Sequence, residues 1–306
     1  MALKLNTSLA GQTLKNPLMT ASGTSGHSTL LSNYFPLEKL GAFVTKGVSS
    51  NAKIGNKPPR ICETPSGLIN CIGLENPGIK FFIDNYLPQF PSETLPLIVN
   101  FFGNSVDTYI KAAASLGQIE EIFALELNIS CPNVQKGGIL FGSDPIAAGD
   151  LVEKCIKATQ GKPVFVKLSP AFSNFLETAN QVMQAGAAGL TCFNTYPATD
   201  IDIQSKSFKL SLGKGGLSGP AILPLSLLKL HEIHTHFPEV ELIASGGVNT
   251  AEDIIKYILA GANAVQLGTS ILINPTSPIV LLDSLKNLCL KMGINNLMNL
   301  KGKVKG

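Results

Sequence analysis

Eight short apolar runs recur along the chain: PLMTASG (17–23), AFVTKGV (42–48), LIVNFFG (97–103), IFALELNIS (122–130), PVFVKLS (163–169), GLTCFNT (189–195), ELIASGG (241–247) and AVQLGTS (264–270). Their apolarity is continuous rather than alternating, which predicts strands covered on both faces, as in a parallel sheet. The segments between them carry a helical period. In TAEDIIKYILAG, Thr250 is placed to N-cap a helix with Asp253 three residues on. Ile254, Ile255, Ile258 and Leu259 form its apolar stripe, and Gly261 ends it. LGAF (40–43), AGAAGL (185–190) and AGANAV (260–265) repeat one joint, a left-handed glycine at a helix end followed by a strand. Eight such units with no signal for a second sheet predict an α/β fold, a closed (β/α)8 TIM barrel forming a single domain over 1–306. An open doubly wound sheet is the alternative, but no GxGxxG follows the first strand. LKLNTSLAGQTLKN (3–16) reads as a hairpin sealing the barrel bottom, and 49–96 and 196–222 as insertions suited to a lid or binding surface.

Nearly every predicted strand ends in a functional group: Ser22, Lys46, Asn100, Asn128, Ser130, Lys167, Asn194, Thr195, Gly246, Gly247, Gly268 and Thr269. A lone polar residue there is ordinarily a strand exit. So many at the face where barrel active sites form predict a site.

Composition narrows the partners. Lys and Arg total 24 against 21 Asp and Glu, a net charge of +3, which gives no case for nucleic acid or an acidic membrane as partner. The start MALKLNTSLAGQTLKNP lacks the apolar core of a signal peptide, and no run approaches the ~18 apolar residues of a membrane span. A cytoplasmic protein is expected. The cysteines (Cys62, Cys71, Cys131, Cys155, Cys192, Cys289) include no CxxC pair. That argues against a disulfide framework, a zinc site, or an iron–sulfur cluster held by this chain alone.

Three features carry candidate chemistry. SGG (245–247) and LGTS (267–270) follow strands 7 and 8, the usual phosphate cradle of barrels, and expose backbone N–H groups. Lys46 and Lys167 end strands 2 and 5, where an ammonium is costly unless an anionic or electron-rich ligand meets it, as a reduced flavin would. Cys131 leads a Gly-rich loop, CPNVQKGGILFG, which could fold over a ligand. A thiol with an ordinary pKa of about 8.5 can act as a base if its surroundings favour the thiolate. Cys155, Cys192 and Cys289 read as small buried hydrophobes. His231, His234 and His236 end a helix and do not form HExxH, so no metal site is expected.

TKGVSSNAKIGNKPPRICETPSGLINCIGLENPG (45–78), NISCPNV (128–134), VKLSP (166–170), FNT (193–195), GGLSGPA (215–221), SGGV (245–248) and QLGTS (266–270) together resemble the class 1 dihydroorotate dehydrogenases, flavin-dependent barrel enzymes of pyrimidine synthesis. The resemblance spans nearly the whole chain in order. It implies one FMN per chain and oxidation of dihydroorotate to orotate, with Cys131 on a lid loop removing the C5 proton while hydride passes from C6 to the flavin. Lys46, Asn70 and the backbone of Cys71, Ile72, Gly73 and Leu74 match the positions that hold substrate. Asn128, Asn133, Asn194 and Thr195 match those that read the pyrimidine edges. Ser22, Lys46, Gly47, Asn100, Asn128, Lys167, Phe193, Gly219, Gly246, Gly247, Gly268 and Thr269 match the FMN contacts.

Class 2 relatives use a serine base and an N-terminal membrane segment, neither found here. NVQKGGILFGSDP (133–145) is most similar to the 1B form. The resemblance then implies a homodimer associated with a partner subunit that carries FAD and a 2Fe-2S cluster and reduces NAD+. The fumarate-linked 1A form, a dihydropyrimidine dehydrogenase-like flavoprotein and a non-catalytic flavin-binding barrel are the alternatives. Gly47-Val48 departs from the family, which often has a hydroxylated residue after the lysine, and 194–216 differs in detail.

Overall fold

The computed structural model describes residues 3–130 and 141–305. Eight parallel strands form the central sheet: β1 Leu18–Thr20, β2 Phe43–Val44, β3 Leu97–Phe101, β4 Ala124–Asn128, β5 Val164–Lys167, β6 Gly189–Cys192, β7 Leu242–Ser245 and β8 Ala264–Leu267. The order runs β1-β8-β7-β6-β5-β4-β3-β2. A parallel bridge between Met19 and Ala42 closes it into the expected (β/α)8 barrel. The Gly41 N–H donates to the Leu18 carbonyl at 2.8 Å, and the Thr20 hydroxyl and Val44 backbone exchange two further bonds across the seam.

The strands are shorter than the apolar runs. β2 keeps only two residues, because the chain leaves the sheet at Lys46, whose N–H turns to the Gly26 carbonyl. Among the described residues the longer helices cover the outside: α1 Val106–Gly117, α2 Pro145–Ala158, α3 Phe175–Gln184, α4 Leu223–His236, α5 Ala251–Leu259 and α6 Ser277–Lys291. The first unit departs from the expected pattern. Between β1 and β2 the described chain forms two short 3-10 turns, Leu30–Asn33 and Leu37–Lys39. Leu31, Phe35, Leu37 and Leu40 bury the apolar surface a helix would otherwise supply.

The capping box at α5 forms as expected, with the Asp253 N–H on Thr250 Oγ1 and the Thr250 N–H on Asp253 Oδ2. Tyr257, fully buried, completes its apolar stripe, whereas Leu259 is only half-buried. Gly186 and Gly261 take the positive φ (95° and 117°) that a helix exit requires. Gly41 does not. Its lack of a Cβ matters because the Asn16 carbonyl occupies that space.

The two insertions overturn the expectation of a single sheet. They join in a four-stranded antiparallel sheet, ordered Tyr196–Ala198, Gly215–Ser218, Gly67–Asn70, Ile61–Thr64. These strands are short and, apart from buried Leu68 and Ile69, half-buried or exposed, so no long apolar run announces them. The Thr269 hydroxyl donates to Ser218 Oγ at 2.8 Å and ties this sheet to the barrel rim. At the opposite end the N-terminal hairpin, Thr7–Leu9 with Gln12–Leu14, forms as read. Leu9 and Leu14 pack against Met19, Val44, Ile98, Ala124, Phe165, Ile243 and Ala264 and plug the barrel interior. No helix among the described residues is long and apolar enough to cross a membrane.

Candidate active site

Successive inward positions on a strand lie two residues apart. One step above the plug, Ile98 gives way to Asn100, Ala124 to Glu126, Phe165 to Lys167 and Ala264 to Gln266. This layer is polar and closed to solvent. Glu126 accepts from Asn100 Nδ2 at 2.7 Å, Gln266 Nε2 at 2.6 Å and Thr191 Oγ1 at 2.8 Å. Lys167 Nζ lies 3.5 Å from Glu126 Oε1 and 3.4 Å from Gln266 Oε1. Asn128 sits one step higher and is also buried. Its carbonyl accepts a hydrogen bond from the Tyr109 hydroxyl at 2.9 Å, and its Oδ1 accepts the Ser130 N–H at 3.1 Å.

Asn100 Oδ1 is buried and has no hydrogen-bond partner among the described residues. A Cβ at Gly47 would come within 2.6 Å of it, so the glycine opens the β2 exit beside this acceptor. Lys46, half-buried, makes no ion pair among the described residues. Burial lowers its pKa from the usual lysine value; Glu75 opposes the shift and Arg60 adds to it.

His27 joins this corner and was not anticipated. Its Nε2 lies 3.3 Å from the Gly47 carbonyl, and its ring is parallel to that of Tyr86 at 6.0 Å. Burial holds its pKa at about 4, with Lys46 contributing in the same direction. The folded value lies below that of the unfolded chain, so the unfolded chain binds more protons between pH 6.5 and 4. Stability is complete above that window and falls as pH drops through it. His27→Phe should blunt this fall, leaving the melting temperature at pH 4.5 about 2–4 °C higher relative to its neutral value than in wild type. Parallel melting curves for the two proteins over that pH range would contradict the assignment.

The substrate-matched loop is held from both sides. Asn70 Nδ2 donates to the Gly216 carbonyl at 3.3 Å, and Gly216 packs against Thr195 so closely that a Cβ would overlap its hydroxyl. Asn56 Nδ2 donates to the Cys71 carbonyl at 2.9 Å, and the Asn56 N–H donates to the Ile72 carbonyl at 3.0 Å. Gly73 abuts Asn56, and Leu74 adopts a left-handed φ of 58° that only a well-braced loop retains. The brace includes Arg60–Glu75, 2.6 Å apart, and Asn76, which binds both Ser49 and the Leu74 carbonyl. Asn194 follows β6; its N–H donates to the Leu168 carbonyl, and its side-chain oxygen accepts from the Thr195 N–H. Phe193 is buried against Phe175.

On the β7–β8 side, Gly246 and Gly247 have φ of 138° and 78°. A Cβ at Gly247 would strike the Leu223 backbone at 2.6 Å, and one at Gly246 would come 2.5 Å from Ser226 Oγ. Only glycine lets this turn approach the start of α4. The Tyr257 hydroxyl fixes the turn by donating to the Gly246 carbonyl at 2.6 Å. Gly219, also at positive φ, packs toward Thr269. Gly268 faces Ala21, next to half-buried Ser22.

Asn100, Asn128 and Lys167 thus share the barrel interior, with Lys46 and Gly47 at its edge. Asn70 and Thr195 meet through Gly216. Cys131 and Asn133 lie outside the described residues. Cys155, Cys192 and Cys289 are buried free thiols, with burial pushing Cys155 up to about 12. An unpaired buried acceptor, two lysines and a glycine turn fit a planar polar ring that carries a phosphate.

A family model described as Dihydroorotate dehydrogenase matches residues 4–288. A protein of Trichlorobacter lovleyi named dihydroorotate dehydrogenase B (NAD(+)), catalytic subunit, is 44% identical over 96% of each chain. One of the same name from Pelobacter propionicus is 43% identical over 97% of each. An Aquifex aeolicus protein provisionally named dihydroorotate dehydrogenase A (fumarate) is 39% identical over 98% of each.

Proposed function

The chain belongs to the dihydroorotate dehydrogenase family, and from that premise we propose that it is the catalytic subunit of the NAD-linked B form. In this reading it oxidises dihydroorotate to orotate in de novo pyrimidine synthesis, holds one FMN, and forms a homodimer joined to an FAD and 2Fe-2S subunit that reduces NAD+. The observation that carries the reading is the unpartnered Asn100 Oδ1, buried between Lys46-Gly47 and the Lys167 layer. It is an acceptor waiting for a ring donor in a site two lysines make electropositive. FMN, when bound, supplies the acceptor for the hydride that leaves C6 of the substrate.

The chain's own groups do the rest. Cys131, placed by sequence alone, takes the C5 proton as general base. Lys46 offers its ammonium to the substrate carboxylate. Asn70, the backbone of Cys71 to Leu74, Asn133, Asn194 and Thr195 supply donors and acceptors for the pyrimidine ring, with Asn128 reaching both ligands. Ser22, Gly47, Asn100, Lys167, Phe193, Gly219, Gly246, Gly247, Gly268 and Thr269 line the FMN site. The Arg60–Glu75 pair and Asn76 keep the substrate loop in one conformation, which lowers the ordering cost of binding.

The purified chain should be yellow and should bleach on anaerobic addition of dihydroorotate but not of dihydrouracil. A colourless protein, or bleaching by dihydrouracil alone, would remove the assignment. The chain without a partner should reduce dyes but pass electrons to NAD+ at no more than about 1% of the dye rate. The fumarate-linked form is the second reading, favoured by the Aquifex aeolicus relative. Efficient fumarate reduction by the isolated chain would select it.

A further inference from the structure

Glu126 has no solvent exposure, and a carboxylate in that position costs several kcal/mol unless its charge is met. Of its four donors, three are neutral and lie within 2.8 Å (Asn100 Nδ2, Thr191 Oγ1 and Gln266 Nε2), while the charged one, Lys167 Nζ, is the most distant at 3.5 Å. Two consequences follow from this arrangement.

The first concerns Asn100. Its amide nitrogen is committed to Glu126, so what it presents toward Gly47 is Oδ1, an acceptor. The second concerns Lys167. Its ammonium is shared between Glu126 Oε1 at 3.5 Å and Gln266 Oε1 at 3.4 Å, both beyond the ~2.7–2.9 Å of a strong charge-assisted bond. Neither oxygen holds it in a close pair, so Glu126 offsets its charge without a short contact.

We propose that Glu126 is a positioning residue of the redox site: it fixes Asn100 as an acceptor and offsets the charge of Lys167, and so sets the reduction potential of the bound flavin. This rests on the FMN reading above. A negative charge close to a bound flavin would disfavour the extra electron density of the reduced form, so removing that charge must raise the potential, and removing the lysine's positive charge must lower it.

The test is anaerobic equilibration of the FMN-loaded protein against reference dyes, comparing wild type with Glu126→Gln and Lys167→Met. Glu126→Gln keeps the shape and removes the charge, and should raise the ratio of reduced to oxidised flavin at fixed potential about tenfold, a positive shift of ~30 mV for a two-electron couple. Lys167→Met keeps the apolar stem, removes the positive charge that Glu126 offsets, and should lower the ratio about tenfold. A merely structural role would not give shifts of opposite sign. Should one variant fail to fold, the sign of the other decides. Ratios within about threefold of wild type, or shifts in one direction for both, would overturn the inference, as would failure of both to fold. A wild-type protein that takes up no FMN instead removes the FMN reading itself.

Discussion

Cys131→Ala is expected to yield a folded protein that still binds FMN and orotate, but whose flavin is reduced by dihydroorotate about 10²–10⁴-fold more slowly, the range over which a positioned general base acts. The chain reaches Cys131 from a fixed point. The Asn128 carbonyl is pinned by Tyr109, the Ser130 N–H by Asn128 Oδ1, and the Ser130 hydroxyl by the Lys167 carbonyl at 3.0 Å. The strand that carries Glu126 and Asn128 into the interior therefore delivers its exit to the Lys167 side of the site. Neither Cys155 nor Cys192 can substitute. Cys155 and Cys192 are buried with their thiols pushed well above the usual range by desolvation. In wild type the reduction rate should rise with pH as the thiol ionises, and the alanine variant should lose that rise. Single-turnover reduction followed at the flavin absorbance band measures both effects. An unchanged rate would take Cys131 out of the mechanism.

The barrel was legible in the sequence because its strands are buried on both faces. Runs such as LIVNFFG need no turn chemistry to be recognised, and the capping box at Thr250 and Asp253 marks α5 directly. What escaped is what burial does not mark. The sheet built from 61–70 and 196–218 has short strands, two of them glycine-bearing, in which only Leu68 and Ile69 are buried. Gly41 looked like a helix exit, yet it is glycine because a carbonyl from another segment lies against it.

The site shows the same division. Rim residues were legible as polar endings on apolar strands, whereas Glu126 lies within a strand between Leu125 and Leu127. Period-two counting from Asn128 turns it inward, and a charge facing inward must have partners; that signal was available. His27 gave no such signal. It stands in a loop, SGTSGHST, and its place beside Gly47 depends on how β1 and β2 end.

Lys46→Met should weaken orotate binding about 10–100-fold, the loss expected when a charge-assisted hydrogen bond to a carboxylate is removed while the apolar stem is kept. FMN should stay bound, because in the proposed site the Gly246-Gly247 turn and Lys167 also contact it. The pH dependence supplies a second signature. Burial already lowers the pKa of Lys46, and in the proposed role its charged form binds the carboxylate. Wild-type affinity for orotate should therefore be complete at neutral pH and fall as pH rises through the lowered lysine value, whereas the methionine variant should show no such fall. Titration of the flavin spectrum with orotate measures both. An uncharged dihydropyrimidine lacks the carboxylate and should lose little affinity in the variant. Equal losses for the two ligands would mean that Lys46 organises the β2 exit as a whole, and specificity for the acid would then have to come from the loop at Asn70 to Leu74.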